Sequence, residues 1–322
     1  MSVAWGILST ARINELVLAG MRGSGRARML AVASRDESRA EAYAREYGLE
    51  RAYGSYDALL GDPDVQAVYI SLPNAMHVQW SIRALRAGKH VLCEKPLTRR
   101  PEEVEEAFDV ADQEGRLLME AFMWCHAPQF GRVRELVGDG SIGELRLVRS
   151  THSFTADDPR DIRLLTELDG GSLMDVGCYC VHAARLLAGE PGRVYAEPVR
   201  NDSGIDVRFA GTMQFPSGVV SHFDAGLDVP VREELEVVGE LGSLLLTDPW
   251  HAVKPRIELR SDRGVEMIEP EALDPYGLEV ENLSGAILGQ AEPLLGREDA
   301  LAQARVLDAL FRSAEEGVPI GL

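Results

Sequence analysis

The sequence is poor in cysteine, in long apolar segments and in positive charge. Its 322 residues include four cysteines, and no two of them have the C-x-x-C spacing of zinc or redox motifs. No run of about 18 apolar residues occurs, which excludes a candidate membrane-spanning helix. Acidic residues outnumber basic ones by 52 to 33, for a formal net charge of −19. We therefore expect reduced thiols, no metal, and no nucleic-acid or membrane partner.

The amino terminus, MSVAWGILS, lacks a basic segment followed by a cleavable apolar stretch. No signal peptide is therefore predicted, and we expect a cytoplasmic protein. The chain is 45% hydrophobic and 26% charged, as is typical of globular proteins. Its length suffices for two domains.

Strand and helix patterns alternate over residues 1–121. The apolar strands are nearly continuous, which is typical of a parallel sheet with helices on both faces. We therefore predict an α/β dinucleotide-binding domain with a doubly wound, Rossmann-type sheet over this range. Its predicted strands are VAWGILS, ARMLAVAS, VQAVYISLP, KHVLCEK and RLLMEAF.

Residues 122–322 show a different pattern, in which long alternating strands are separated by hairpin turns. This predicts an α+β domain for substrate binding and oligomerisation, with a large, mostly antiparallel open sheet. We expect its exposed face to carry Phe209, Met213 and Phe215 and to form a homodimer or homotetramer. The alternative is that the chain's own termini cover this face. Helices are predicted near residues 127–138, 171–188, 279–290 and 297–316.

The turn after the first strand contains few of the glycines that dinucleotide-binding folds use there. The register Ser9-x-Ala11-x-x-Asn14 puts small residues at the first two glycine positions. The alternatives are an ordinary strand–helix corner and a phosphate-binding loop at a helix N-terminus. In the second case the cofactor would be bound by Ser9, Thr10, Ala11, Arg12 and Ile13.

The end of the second strand lacks the acidic residue that usually binds an adenosine ribose. Ser34 and Arg35 occupy that place, and a serine–arginine pair suits a 2′-phosphate. Arg39 adds a second positive charge one helical turn later. Asp36 opposes this interpretation, but it is placed to cap the following helix. The pattern favours NADP over NAD.

The segment GKHVLCEKPL ends a strand with Glu94 and Lys95. In an open parallel sheet the carboxyl edge faces the ligand crevice, although a single lysine there is usually only a surface charge. Farther along the chain, Asp175 and Tyr179 have the i, i+4 spacing that places them on one helix face, and His182 follows three residues later.

Several motifs together resemble the Gfo/Idh/MocA oxidoreductases, named for glucose-fructose oxidoreductase and inositol dehydrogenase. The resemblance covers nearly the whole chain and extends to a subgroup with dihydrodiol dehydrogenases and NADP-linked xylose dehydrogenases. The family motif D-x-G-x-H-x-x-D has Tyr179 in place of its histidine, as in that subgroup, and His182 in place of its last aspartate. The matching segments are AGKHVLCEKP, LPNAMH, MEAFMWCHAPQ, DIRLL and GGSLMDVGCYCVHAARLLAG.

The resemblance implies roles for individual residues. Tyr179 would exchange a proton with the substrate, Lys95 would supply positive charge, and Asp175 would accept hydrogen bonds from substrate hydroxyls. Further cofactor contacts are expected from Leu72, Pro73, Asn74, His77, Glu94 and Lys95. Further substrate contacts are expected from Arg163, His152 and His182.

The implied activity is NADP-dependent hydride transfer to or from a hydroxyl or carbonyl carbon of a sugar-like molecule. Three substrate branches remain open: an aldose 1-dehydrogenase, a dihydrodiol or anhydrosugar reductase, and a reductase of nucleotide-linked ketosugars. A non-catalytic NADP-binding sensor of the same fold is the alternative from another class.

Overall fold

The computed structural model describes residues 2–158 and 160–322. The chain divides into two compact units. Unit 1 comprises Met1–Met123 and Asp274–Leu301, and unit 2 comprises Trp124–Leu273 and Ala302–Leu322.

The sheet of unit 1 confirms the predicted parallel architecture. Among the described residues it has six strands, all paired in parallel: β1 (Val3–Leu8), β2 (Ala27–Ala33), β3 (Arg51–Tyr53), β4 (Ala67–Ile70), β5 (His90–Glu94) and β6 (Leu118–Ala121). Their order is β3-β2-β1-β4-β5-β6, so the direction of winding reverses between β1 and β4. Ligands of such sheets bind at the carboxyl edge beside this reversal.

Helices cover the two faces of this sheet, which explains why β1 and β4 are buried along their whole length. The short β3 and α3 were not predicted from the sequence. The helices of unit 1 are α1 (Asn14–Met21), α2 (Glu37–Tyr47), α3 (Tyr56–Leu60), α4 (His77–Arg86), α5 (Pro101–Glu114) and α8 (Pro275–Ile287).

Helix α8 is grouped with unit 1, whereas the sequence placed it in the second domain. It lies against α1 at a contact between two glycines. A Cβ atom added to Gly277 would lie 2.7 Å from the carbonyl oxygen of Gly20. Two helix backbones approach this closely only where side chains are absent. Farther along α8, the Oγ of Ser284 accepts a hydrogen bond from the Trp5 indole at 3.0 Å.

Unit 2 contains a large, mostly antiparallel sheet, as predicted. Its strands are β7 (Leu145–Thr155), β8 (Arg193–Arg200), β9 (Asp206–Gln214), β10 (Val220–Gly226), β11 (Asp228–Gly239), β12 (Gly242–Leu246), β13 (Ile257–Ser261), β14 (Gly264–Ile268) and β15 (Ile320–Gly321). Their order is β14-β13-β12-β11-β7-β10-β9-β8-β15, and only β7 and β10 pair in parallel within the described residues.

The helices assigned to unit 2 include α6 (Pro128–Gly138) and α7 (Cys178–Ala188), and α9 (Arg297–Glu316) begins in unit 1 and continues into unit 2. The prediction that Phe209, Met213 and Phe215 form an exposed face is wrong, because all three side chains are buried. Phe209 packs against Phe311 of α9, with ring centroids 6.1 Å apart.

The other face of β9 and β10 is exposed and carries both polar and apolar side chains, since Val220 on β10 is 41% exposed. Arg208 and Gln214 on β9 and His222 on β10 are exposed. Arg149 of β7 donates to His222 and to Glu236 of β11 on the same face. The chain's own helices therefore cover the apolar surface through which the oligomer was predicted to form.

Residues 2–158 and 160–322 include helices of up to 20 residues. No helix there combines the length and the hydropathy that a membrane span requires.

Candidate functional site

The turn after β1 has the geometry of a specialised loop. Ser9 has φ 133°, in the region that glycine adopts readily and other residues rarely do. Its hydroxyl accepts a hydrogen bond from the Ala11 backbone at 3.1 Å and donates one to the Ser71 carbonyl at 3.1 Å. These bonds hold a serine in a conformation that glycine normally adopts in a phosphate-binding loop.

Asn14 anchors the same turn from the first position of α1. Its side chain is fully buried, donates to the Ser9 carbonyl at 3.1 Å, and accepts from the Ser71 hydroxyl at 2.5 Å. The turn residues Thr10, Ala11, Arg12 and Ile13 therefore lead into the N-terminus of α1 on a rigid base. Backbone N–H groups at a helix N-terminus are suited to binding an anion.

The first carboxylate after β2 belongs to Asp36. Asp36 accepts a hydrogen bond from the Arg39 backbone at 3.2 Å and so caps α2, as the sequence suggested. A hydrogen bond from Ser38 is the largest factor that lowers the pKa of Asp36. Ser34 is buried, and Arg35 and Arg39 are exposed. The local chemistry therefore suits a phosphate.

His77 connects two segments of the carboxyl edge. Its Nδ1 lies 2.9 Å from the Pro96 carbonyl oxygen and its Nε2 lies 2.7 Å from the Leu72 carbonyl oxygen. Burial lowers the pKa of this imidazole. His77, at 1% exposure, thus joins the loop after β4, including Pro73 and Asn74, to the segment after β5. Its role in the structure is to position these segments.

Glu94 ends β5 and is oriented by a neighbouring strand. The Tyr69 hydroxyl of β4 donates to its Oε1, and the Lys95 backbone donates to its Oε2 at 3.3 Å. Two residues later, the Leu97 backbone donates to the buried Glu120 carboxylate at 2.7 Å. These bonds fix the backbone on both sides of Lys95, whose side chain is half-buried.

In unit 2, Gly170 and Gly171 shape the approach to the second motif. A Cβ on Gly170 would lie 2.3 Å from the Arg163 carbonyl oxygen, and one on Gly171 would lie 2.2 Å from a carboxylate oxygen of Asp206. Asp206 is buried and accepts hydrogen bonds from Ser172 and Leu173, each at 2.8 Å. The glycines allow the Arg163 segment to pack directly on the start of this motif.

The predicted helix over residues 171–188 begins with a π-helical turn, Leu173–Gly177, and α7 follows it. Asp175 lies in the π turn and Tyr179 in α7, so α-helical i, i+4 geometry does not apply to this pair. Single π turns inside helices are often found at functional sites, because they redirect individual side chains.

Asp175 forms an ion pair with Arg163. The guanidinium Nε lies 2.8 Å from Asp175 Oδ2, and its Nη1 lies 3.2 Å from Asp161 Oδ1. The charge of Asp175 is the largest cause of the raised pKa of Arg163. The structure therefore brings together Arg163 and Asp175, two predicted substrate residues that are 12 positions apart in the chain.

Tyr179 is held in an aromatic cluster and is 6% exposed. The His152 ring of β7 meets it edge-on, with centroids 5.1 Å apart. Trp250 lies 5.6 Å from Tyr179 and stacks on His152 at 5.7 Å. The Trp250 indole donates to the Thr151 carbonyl at 3.2 Å, which fixes its position. His152 is therefore adjacent to Tyr179, as a common site requires.

His152 also faces a carboxylate. Its Nε2 lies 3.4 Å from Glu233 Oε1, and His251 Nδ1 lies 3.3 Å from the same oxygen. Burial alone would raise the pKa of Glu233, but the hydrogen bonds with His152 and His251 outweigh it and lower the value to about 2. The carboxylate is therefore ionised at neutral pH.

Glu233, His251 and Asp248 bring one possible metal-ligand atom each within 4.8 Å of one another. The sequence showed no metal-ligand spacing, because these residues come from β11 and from the segment after β12. Asp248 Oδ2 accepts hydrogen bonds from the Val253 and Lys254 backbone, so contacts within the protein already use part of this cluster.

His182 was predicted to contact the substrate, but the structure places it in the core of unit 2. It is 0% exposed, and its Nδ1 accepts a hydrogen bond from the Trp124 indole at 3.3 Å. The physical reason is that α7 is buried on all sides from Cys178 to Arg185. Its hydrogen bond instead fixes the position of the Trp124 indole.

Sequence reasoning missed Trp250, Glu233 and His251. The dipeptide Trp250-His251 follows a predicted strand, which is a detectable signal, but no local pattern links it to residue 152. Of the predicted site residues, the cofactor set and Lys95 belong to unit 1. Tyr179, Asp175, Arg163, His152 and His182 belong to unit 2.

Two family models match the chain. Residues 4–122 match the oxidoreductase family with an NAD-binding Rossmann fold, and residues 130–245 match the GFO/IDH/MocA C-terminal domain. The NADP(+)-dependent D-xylose 1-dehydrogenase 2 of Haloferax volcanii is 39% identical, covering 99% of each chain. The trans-1,2-dihydrobenzene-1,2-diol dehydrogenase of Bos taurus is 32% identical over 77% of this chain and 75% of its own.

A solved structure is similar along nearly the whole chain. It is the 3-ketoreductase of Actinomadura kijaniata in complex with NADP and TDP-benzene. The two chains are 31% identical, the alignment covers 97% of this chain and 98% of the other, and the TM-score is 0.92.

Proposed function

Because the chain belongs to the Gfo/Idh/MocA oxidoreductase family, we propose that it uses NADP to oxidise or reduce a hydroxyl or carbonyl carbon of a sugar or sugar-like polyol. The observation that carries this proposal is the cluster in which Tyr179 is held beside His152, in the unit where Arg163 and Asp175 pair. The phenol suits proton exchange with the substrate, and the charged pair suits recognition of polyol hydroxyls.

The residues at the end of β2 and after β1 fit NADP. The Ser9–Ile13 turn offers backbone N–H groups to a pyrophosphate, and Oδ1 of Asp36 caps α2. Arg35 and Arg39 can then bind a 2′-phosphate. The relatives support this assignment, since one is an NADP(+)-dependent D-xylose 1-dehydrogenase and another is a ketoreductase whose structure contains NADP.

The nicotinamide supplies the hydride acceptor or donor when bound. In the oxidation direction, Tyr179 takes the proton of the substrate hydroxyl. A phenol has an ordinary pKa of about 10, so it needs positive charge nearby to act as a base at neutral pH. Lys95 supplies such charge and stabilises the negative charge that develops on the substrate oxygen. Asp175, held by Arg163, accepts hydrogen bonds from neighbouring hydroxyls.

An absorbance screen at 340 nm tests the proposal. The protein is mixed with NADP⁺ and D-xylose, other aldoses, inositols or diols, and with NADPH and ketosugars. Turnover with at least one polyol or ketosugar is expected, and aldoses are the first group to test because of the full-length similarity to a xylose dehydrogenase. NADPH binding without turnover across the panel would favour the non-catalytic sensor instead.

A further inference from the structure

Glu279 is a fully buried acidic residue of unit 1. It lies in α8 and is 0% exposed, and neither of its carboxyl oxygens has a hydrogen-bond partner among the described residues. An ionised carboxylate without a partner is one of the most costly groups to bury, so such a side chain keeps its proton instead. Natural proteins retain groups that break this rule mainly where they serve a function.

Helix α8 holds Glu279 at a fixed place against the rest of unit 1. On one side of it, Gly277 packs directly on the Gly20 backbone of α1. On the other side, the Ser284 hydroxyl accepts a hydrogen bond from the Trp5 indole of β1 at 3.0 Å. The helix is therefore anchored both before and after Glu279, and the carboxyl group cannot reach water unless these contacts break.

The surroundings of Glu279 connect it to the expected cofactor site. Burial first, and then the charges of Glu94 and Asp274, raise its pKa well above the ordinary range. Burial, and next the charges of Glu94 and Glu279, raise the pKa of Tyr69 in the same way. The Tyr69 hydroxyl donates a hydrogen bond to Glu94 Oε1. Glu279, Tyr69 and Glu94 therefore form one cluster near the carboxyl ends of β4 and β5.

The charged groups nearest to Glu279 are both negative. Strand β5 contributes Glu94, and the start of α8 contributes Asp274, whose side chain caps the helix. Helix α1 meets α8 at a glycine backbone. In β2, which also contacts α8, the charged residue Arg28 pairs with Glu50 at 3.3 Å. Neither Glu94 nor Asp274 can stabilise an ionised Glu279, so both favour its neutral form.

We propose that Glu279 is a positioning residue of the cofactor site, which acts through Glu94 and does so as an uncharged carboxylic acid. The inference rests on the proposed function and on the expected contact of Glu94 with NADP. A neutral carboxyl group can donate a hydrogen bond to the Glu94 carboxylate, whereas an ionised one can only repel it. The proton on Glu279 thereby keeps Glu94 oriented for the cofactor.

A fluorescence titration with NADPH tests the positioning role without turnover. Glu279→Gln keeps a neutral donor of the same size and should bind NADPH within about 2-fold of the parent protein. Glu279→Met fills the same space without a donor and should bind about 10-fold more weakly, because a hydrogen bond to a charged group is lost. Glu281→Gln is the matched control, since it removes the same charge from the same helix at a side chain that is 25% exposed.

A purely structural role predicts a different result. Methionine suits a buried position, so Glu279→Met would then bind NADPH as well as Glu279→Gln does, and that result overturns the proposal. Glu279→Leu repeats the test if the methionine variant does not fold. Loss of folding in both apolar variants, seen by circular dichroism, would show that the carboxyl group acts on the fold, and it also overturns the proposal.

Carboxyl-carbon NMR of protein labelled in glutamate tests the uncharged state directly. The signal of Glu279, identified by its absence in Glu279→Gln, should be that of a protonated group at about pH 7, where exposed glutamates are ionised. An ionised Glu279 at this pH overturns the proposal.

Urea denaturation gives a second measure of the same proton. The folded protein keeps a proton that the unfolded chain loses above its ordinary pKa of about 4.3, so this contribution to stability declines as pH rises. The parent protein should therefore lose stability relative to Glu279→Gln between about pH 5 and about pH 8. A constant difference between the two proteins would contradict a protonated Glu279.

Glu94→Gln separates this inference from the proposed function. If this variant binds NADPH as the parent protein does, the expected role of Glu94 is wrong and the inference falls with it. If it binds weakly while Glu279→Met binds normally, only the role of Glu279 is wrong. Neither comparison uses turnover, so a substrate screen without activity would count against the proposed function alone.

Discussion

Arg163 Nε lies 2.8 Å from Asp175 Oδ2, and this ion pair joins the 3₁₀ turn Ile162–Leu164 to the π turn that precedes Tyr179. The side chains are 40% and 17% exposed, so solvent can reach the pair. Solvent screening therefore limits what this half-buried pair contributes to stability. Its geometry instead fits a role in orienting Asp175 for a substrate.

The first prediction follows from this pair. Arg163→Gln should raise KM for the polyol by about 10-fold or more and change kcat less, because Asp175 loses the partner that orients it. Steady-state kinetics with the substrate found in the screen provides the measurement. Arg160→Gln is the control, since Arg160 is 88% exposed and pairs with Asp158. Equal effects of the two substitutions would contradict a specific role for Arg163.

The second prediction concerns the two groups assigned to the chemistry. Lys95→Met and Tyr179→Phe should each lower kcat by about 10²-fold or more, because positive charge or the proton acceptor is lost. NADPH affinity, followed by fluorescence, should survive in both. Lys254→Met and Tyr195→Phe are the matched controls, because neither residue is assigned a role in binding or in the chemistry. Full turnover in either of the first two variants would refute the assigned role.

The third prediction concerns cofactor choice. Arg35→Ala should weaken NADPH binding by about 10-fold and leave NADH binding nearly unchanged, because only NADPH carries the 2′-phosphate. Fluorescence titration with both nucleotides measures this ratio. Arg45→Ala on α2 serves as the control, because that side chain is 73% exposed and lies at the other end of the helix. A parent protein that prefers NADH would contradict the interpretation of Ser34 and Arg35.

The fourth prediction concerns the contact between α1 and α8. Gly277→Ala should lower the free energy of unfolding by about 2 kcal/mol or more, because its Cβ would overlap the Gly20 carbonyl. Gly285→Ala on the same helix should be neutral or stabilising by up to about 1 kcal/mol, since its new Cβ would meet Ala291 and Arg26 at ordinary contact distances of 3.5 Å or more. Urea denaturation compares the two. Similar losses from both would show that the contact is not specific.

The fifth prediction concerns pH. Burial, and next the charge of Arg116, lower the pKa of His90 to about 4, and its Nδ1 accepts a hydrogen bond from the Leu117 backbone at 3.0 Å. The unfolded chain protonates this histidine at its ordinary pKa of about 6.5. Between these values the unfolded state binds more protons, so stability falls as pH is lowered from 6.5 to 4.

Replacement of this histidine should flatten the pH dependence. Between pH 7 and pH 4.5, His90→Asn should lose about 2 kcal/mol less unfolding free energy than the parent protein. Urea denaturation at several pH values measures the difference, and parallel pH profiles for the two proteins would contradict the assigned cause.

By itself the sequence determined that strands and helices alternate in unit 1, because a buried parallel strand must be apolar along its length. It also determined the cap at Asp36 and the position of Lys95 after β5, since caps and strand ends are local features. The resemblance to the family's motifs was sufficient to find Tyr179, Asp175 and Arg163 as candidates.

Tertiary structure alone decided which distant residues meet. Glu233 and His251 reach His152 only because β11 pairs with β7, and this register depends on the whole sheet. Alternation separated the two faces of β9, but only the packing of α9 showed that Phe209 lies on the covered face. The grouping of α8 with unit 1 likewise depends on a contact between glycines 257 positions apart, and local periodicity carries no information about such a contact.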